Sequence, residues 1–168
     1  MSLPWGMTFV KVMCLMPTGF SDGSSYGLLP PGQFLTEKFP VLTYGSTPHL
    51  DLDTWRLEVR GSVNVPVRLT WNQLRSMRTV HVRSDFHCVT RWSRLSNLWE
   101  GVRVRDLLGI TQPQLEATFV MAHCYGGYTT NLPLEAVLEG DAIIAFRHDG
   151  TDLSPDHGWP ARLVVPGC

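Results

Sequence analysis

The chain has 168 residues, with 14 Lys and Arg against 15 Asp and Glu, a formal net charge of −1, 43% hydrophobic residues and 17% charged ones. That length suits one domain with a real core, needing neither disulfides nor a metal as staples. The apolar share and six tryptophans exclude a disordered, collagenous or coiled-coil chain, and the balanced charge leaves no electrostatic footprint for nucleic acid or an anionic membrane. Among the cations only Lys11 and Lys38 are lysine. So strong a bias to Arg suits bidentate recognition of a buried anion, and equally a plain compositional bias.

Cys14, Cys88, Cys124 and Cys168 form no CxxC pair and lie 74, 36 and 44 residues apart. That is not the spacing of a small secreted scaffold, so free thiols in a reducing, cytoplasmic compartment are expected. Met7 to Met16 is apolar but too short to span a membrane, and carries Lys11 at its middle. It has neither the basic flank nor the cleavage site of a signal peptide. Residues 17–32 concentrate Gly, Ser and Pro and read as a linker. The expected organisation is therefore an extension or linker over residues 1–28 and one domain over 29–168.

In the next stretch Pro40 and Pro48 predict an ordered, non-helical loop centred on Tyr44-Gly45. Trp55, Leu57 and Val59 alternate with Arg56, Glu58 and Arg60, the pattern of a half-buried strand, which Gly61 closes. Val63–Leu69 reads as a second strand with Pro66 at an edge or bulge. Thr70 and Gln73 form a capping box that starts a short helix at Trp71, running to about Met77. From Thr79 to Val89 the period is two again: Val80, Val82, Phe86 and Cys88 share one face, His81, Arg83, Asp85 and His87 the other. Val102–Leu108 predicts a short helix ending at Gly109, and Phe119–Cys124 a strand buried on both faces. Pro133 at a first helical position and Gly140 bracket another short helix. Ala142–Phe146 and Arg162–Val165 complete the strands, and the class is α+β, weighted toward β.

Three places carry candidate chemistry. Cys88, in DFHCVTRWS, sits where a strand turns into a Thr/Arg/Ser loop; a soft-metal ligand, a His-paired nucleophile and a buried structural thiol all fit. His123-Cys124 repeats the His-Cys dipeptide, but neighbouring strand residues point to opposite faces, so one such pair does not readily supply two ligands to a tetrahedral zinc. In His157-Gly-Trp-Pro-Ala-Arg162 a rigid turn precedes a strand and brings His157 and Arg162 near one another, a pair suited to a phosphate or to an ordinary surface loop.

From Leu29 to Pro166 the sequence resembles the sulfite-oxidase-type molybdopterin oxidoreductases, above all their small bacterial haem-free branch. The matching segments are LPPGQFLTEKFPVL (29–42), LDTWRLEVRGSV (52–63), HCVTRWS (87–93), WEGVRVRDLL (99–108), MAHCYGGYTTNLPL (121–134) and HGWPARLVVP (157–166), in the family's order. HCVTRWS and the HGxPxRLVVP pattern are the specific ones.

The resemblance implies the family's mixed-sheet fold with short helices, and a molybdenum–molybdopterin cofactor whose metal takes the Cys88 thiolate. It implies that His157 and Arg162 contact the pterin and its phosphate, and that the segment at His123 and Cys124 lies along the cofactor. Tyr44 and Gly45 would touch the pterin, while Arg91, close after the ligand Cys, would face either the metal pocket, as a catalytic residue, or the core. The CVTRWS segment stands where sulfite oxidases proper have an Arg-rich one, which argues against sulfite as substrate. The activity implied is oxygen-atom transfer to or from a small oxyanion, a sulfoxide or a related S- or N-oxide, with a separate protein as electron partner. The resemblance also implies a further basic segment after Val164-Val165-Pro166, so the expectation is either a domain truncated at its C-terminus or one that binds the cofactor with fewer phosphate contacts. A non-catalytic fragment of the same fold, holding the cofactor weakly or not at all, is the competing expectation. A zinc- or thiol-dependent hydrolase would account for Cys88 but leaves HGWPARLVVP unexplained.

Overall fold

The computed structural model describes residues 6–9, 12–15, 29–43 and 45–166, the first two stretches as backbone only. Its strands are β1 (Gly6–Phe9), β2 (Val12–Leu15), β3 (Phe34–Leu35), β4 (Arg56–Arg60), β5 (Val67–Thr70), β6 (Thr79–His87) and β7 (Trp92–Arg103). After these come β8 (Phe119–Cys124), β9 (Thr129–Pro133), β10 (Ile143–His148), β11 (Thr151–Asp152) and β12 (Arg162–Pro166). The helices α1 (Trp71–Ser76), α2 (Val104–Thr111) and α3 (Leu134–Leu138) are short, and a single 3-10 turn spans Pro155–His157. The expected β-weighted α+β class is the class observed.

Two mixed sheets organise the chain. One runs in the order β5-β4-β1-β8-β9; the other runs β2-β12-β10-β7-β3, with β11 beside β10 and β6 beside β7. The stretch expected to be an extension contributes β1, parallel to β8, and β2, parallel to β12. One buried cluster gathers Trp55, Leu57, Leu107, Val120, Ile144 and Leu163 with their neighbours. A second gathers Val82, Phe86, Cys88, Trp92, Trp99 and Val164, and this one backs the functional site.

Local chemistry explains most elements. In β4 the alternation buries Leu57 and Val59. The Thr70 hydroxyl accepts from the Gln73 backbone N–H at 3.2 Å while the Gln73 side chain accepts from the Thr70 N–H at 2.8 Å, the reciprocal box that starts α1.

Four expectations need correction. Residues 63–66 leave the strand predicted from Val63, because Asn64 and Val65 donate to the Gln112 and Thr111 carbonyls at the end of α2, so β5 begins at Val67. The helix predicted from Val102 starts at Val104, since Val102 and Arg103 are still paired with Ile144 and Ile143 of β10. It runs through Gly109 to Thr111 and closes on Gln112 in the left-handed region. Phe119–Cys124 is buried on one face only: Val120, Ala122 and Cys124 face the core while Phe119 is 55% exposed. Pro133 is the last residue of β9, one position before the helix it was expected to open.

The longest strand, β7, gave no periodic signal. It is flanked by β6 and β10, bulged partners on both sides, and it buries the polar residues Ser93 and Asn97. Gly101 is fixed by close approach, since a Cβ there would run into the Ile144 carbonyl and Ala145 backbone of β10.

Candidate functional site

A cavity of about 300 Å³ opens between the loop over residues 39–48, the ends of β6 and β8, the start of β7, and the turn leading into β12. Its walls are largely apolar, from Phe39, Pro40, Leu42, Phe86, Trp92 and Pro155, with polar groups supplied by Cys124, Tyr128, Asp156, His157 and Arg162. The loop is tied across the cavity by the Thr47 hydroxyl, which donates to the Asp156 carboxylate at 2.8 Å.

Arg162 and His157 come together as the turn geometry predicts. Gly158 has φ 99°, a left-handed value that glycine adopts without strain, and it turns the chain between them. Arg162 opens β12, paired with Ala145, so its side chain lies inside the protein and is only 3% exposed. Its guanidinium donates to the His157 carbonyl at 2.9 Å and lies 5.7 Å from the ring centroids of both Phe39 and Trp99. Burial pushes Arg162 down to about 10, an effect the neighbouring Cys124 opposes, so the group stays cationic at neutral pH. A buried cation on the wall of a largely apolar cavity, whose Asp156 carboxylate is engaged by the Thr47 hydroxyl, suits an anionic occupant.

Phe39 joins the two residues. Its ring stacks on the His157 imidazole, with centroids 4.4 Å apart and 12° between planes, and meets Phe86, Trp92 and Trp99 edge-on. Behind it, His148 packs on Phe39 and Trp99. Burial holds His148 at about 4; Asp149 opposes this, and the Arg94 and Arg162 guanidiniums and the neighbouring His157 ring add to it.

Cys88 is 4% exposed and packs in the same buried cluster as Phe86 and Trp92, which line the cavity; Cys88 itself does not line it. Its Sγ lies 3.0 Å from the Thr90 hydroxyl. Arg91 follows at φ 70°, with its side chain exposed and outside the cavity. The structure thus gathers Cys124, His157 and Arg162 on one cavity, and leaves Cys88, Arg91, Gly45 and His123 off its walls. His123 is half-buried and, as strand alternation requires, faces away from Cys124. Gly45, with φ 71°, turns the loop just before Ser46 and Thr47, which do line the cavity. Tyr44 lies outside the described residues. Phe39, Tyr128 and Asp156 are wall residues that the pattern reading did not single out; a loop aromatic or a lone acid carries no periodic signal. Burial also pushes His87 below its usual range, against the pull of Asp85.

Among the described residues no three His, Cys, Asp or Glu side chains converge as an all-protein metal site, so the zinc-hydrolase expectation gains no support. Among them too, no helix is long and apolar enough to cross a membrane.

Comparison with known proteins says to which family this mixed-sheet fold and its aromatic-walled cavity belong. Residues 44–168 match the family model described as the oxidoreductase molybdopterin-binding domain. The oxidoreductase YuiH of Bacillus subtilis (strain 168) is 40% identical over 141 residues, covering 83% of this chain and 71% of YuiH. An NADH nitrate reductase of Volvox carteri is 28% identical over 162 residues, across 76% of this chain and 18% of the enzyme. A putative protein-methionine-sulfoxide reductase subunit, YedZ1 of Azospira oryzae, is 27% identical over 148 residues, across 86% of this chain and 56% of the subunit. Among solved structures, the sulfane dehydrogenase SoxCD of Paracoccus pantotrophus superposes with a TM-score of 0.64 at 17% identity, covering 76% of this chain and 42% of that one. The chain belongs to the sulfite-oxidase-type molybdopterin oxidoreductase family. It is a molybdenum-dependent oxidoreductase domain, and its cofactor is molybdopterin.

Proposed function

We propose that the protein catalyses oxygen-atom transfer to or from a small oxyanion, a sulfoxide or a related S- or N-oxide, with the metal held by the Cys88 thiolate. The observation that carries the reading is the buried, cationic Arg162 beside His157 on the wall of an aromatic cavity. That arrangement fits the cofactor: the flat, apolar walls suit a fused heterocycle and the guanidinium suits its phosphate.

In this reading Arg162 and His157 hold the phosphate end, and Cys124 with the neighbouring His123 segment and the loop at Tyr44 and Gly45 border the pterin. Cys88, a soft ligand buried against Phe86 and Trp92, takes the metal. The cofactor, when bound, supplies the two-electron redox chemistry. The protein's part is to bind it, orient it, and keep bulk water from the reacting end through Phe86 and Trp92. In this reading Arg91, three residues after Cys88 and with its side chain exposed outside the cavity, meets an anionic or dipolar substrate. Electrons come from or go to a separate protein.

The test is single-turnover chemistry on molybdenum-loaded protein reduced with dithionite. Mixing with an 18O-labelled sulfoxide, N-oxide or oxyanion should reoxidise the protein by two electrons and release one deoxygenated product, and the label should leave as water only when two further electrons and two protons are supplied. Run oppositely, oxidised protein should transfer an oxygen to a thioether or a reduced oxyanion. No turnover with any of these classes in either direction would reject the oxygen-transfer reading.

A further inference from the structure

The turn that carries Cys88 is held by more than its own backbone. Within it the Cys88 N–H donates to the Trp92 carbonyl at 2.8 Å and the Arg91 N–H to the Cys88 carbonyl at 2.9 Å. Arg91 sits at φ 70°, in the left-handed region that a side chain disfavours. The tip residue Val89 is 91% exposed among the described residues.

The restraint comes from the other side. Residues 34–36 are clipped to the start of β7: the Phe34 N–H donates to the Arg91 carbonyl and the Thr36 N–H to the Ser93 carbonyl, both at 2.9 Å. Gln33, just before them, reaches across and donates from Nε2 to the Cys88 carbonyl at 2.9 Å. Its Oε1 accepts from the Ser93 hydroxyl at 3.1 Å, and the same Ser93 oxygen lies 2.7 Å from His87 Nδ1.

These contacts have one consistent direction. A carbonyl only accepts, so the nitrogen end of the Gln33 amide must face Cys88 and the oxygen end must face Ser93. Ser93 has a single hydroxyl proton, which goes to Gln33. The 2.7 Å contact with His87 therefore requires the imidazole to donate from Nδ1. His87 and Ser93 are 5% and 0% exposed, so each needs the bonds that the chain supplies.

We propose that His87, Ser93 and Gln33 form a directional hydrogen-bond chain that positions the Cys88 turn for metal ligation, with Gln33 as the closing link. The proposal rests on the reading of Cys88 as the molybdenum ligand. Gln33 is a positioning residue: it touches the ligand residue's backbone, and so sets where the thiolate points. The Cys88 carbonyl accepts from both Gln33 and Arg91, so the residue is held at its N–H and twice at its carbonyl before a metal arrives.

The experiment begins on the cofactor-free 168-residue chain with 15N-labelled histidine. Side-chain NMR should show His87 protonated on Nδ1 in the unmodified protein, a readout independent of how any variant folds. In Ser93→Ala that tautomer preference should relax. In Gln33→Met, amide exchange at Cys88 and Arg91 should rise by about fivefold, the loss of one net hydrogen bond, while amides of β8 and β9 stay unchanged. A general loss of structure would instead speed every amide. Protonation of His87 on Nε2 in the unmodified protein, or unchanged exchange at Cys88 and Arg91 in Gln33→Met, would overturn the proposal. The metal reading is tested apart from this: in loaded protein Gln33→Met should shift the sulfur-to-molybdenum charge-transfer absorption at equal metal content. If the unmodified chain takes up no molybdenum while the apo results hold, the ligand role of Cys88 and the purpose assigned to the chain both fail, and only a structural brace is left.

Discussion

The Phe39 ring lies flat on the His157 imidazole, 4.4 Å between centroids and 12° between planes, and carries the Arg162 guanidinium 5.7 Å from its own centroid. One aromatic from the loop before β4 thus organises two residues of the β12 turn. Phe39→Ala should destabilise the fold by about 2 kcal/mol, from lost burial and aromatic contacts, and should loosen cofactor retention as well. Phe39→Leu should recover much of the stability without the retention. Urea unfolding and pterin content on the same preparations separate the two.

Arg162 is the cation the cavity presents to an anion. Arg162→Met keeps much of the volume and removes the charge. Losing a charge-assisted contact of about 1.5–3 kcal/mol should weaken molybdopterin binding by roughly ten- to a hundredfold. Stability of the apo fold should hold or rise, because the desolvation cost of a buried ion disappears with it. Cofactor titration and thermal unfolding check the two halves.

His148 is held neutral at about 4, chiefly by burial against Phe39 and Trp99. Its groups in reach are Asp149, Arg94, Arg162 and His157. The unfolded chain binds a proton near the usual histidine value while the folded one does not, so stability is full above that value and is lost as pH falls toward about 4. The loss should amount to about 2 kcal/mol after solvent screening, and His148→Gln should flatten that limb of the stability–pH curve. Urea midpoints between those two pH values provide the measurement. An unchanged limb in the variant would remove His148 as its source.

Gly101 lets β7 and β10 approach. Gly101→Ala should cost at least about 2 kcal/mol, since the methyl meets backbone rather than a side chain that can swing aside. Because β7 also carries Trp92 and Ser93, cofactor content should fall with stability, measurable by denaturation and pterin fluorescence.

Part of the cavity wall is legible along the chain. The turn of Gly158 and Pro160 announces that His157 and Arg162 meet, and alternation along β8 sets His123 and Cys124 on opposite faces, although it does not show that only one of those faces is buried. What escapes pattern is whatever depends on distant partners. Phe39 is one loop aromatic among others until the β12 turn folds onto it. β7 hides because Ser93 and Asn97, polar and buried, interrupt its apolar period; each is satisfied across the sheet, Ser93 by Gln33 and His87, Asn97 by its bonds to Ser84 and His148. The alternation of β6 puts His87 with His81, Arg83 and Asp85, yet His87 is buried, because the pairing slips between Ser84 and Phe86. The place of Cys88 beside the cavity rather than on its wall is likewise a matter of packing with Phe86 and Trp92, which no local motif encodes.

The most direct test is metal and pterin stoichiometry of the chain made in a host able to build molybdopterin, measured by mass spectrometry of the metal and by fluorescence of the oxidised pterin. Molybdenum and pterin near one per chain are expected, with Cys88→Ser losing the metal and Arg162→Met losing pterin and metal together. Molybdenum retained in full by Cys88→Ser, or no molybdenum in the unmodified chain while a known molybdoenzyme from the same host is loaded, would contradict the assignment of Cys88 as the ligand.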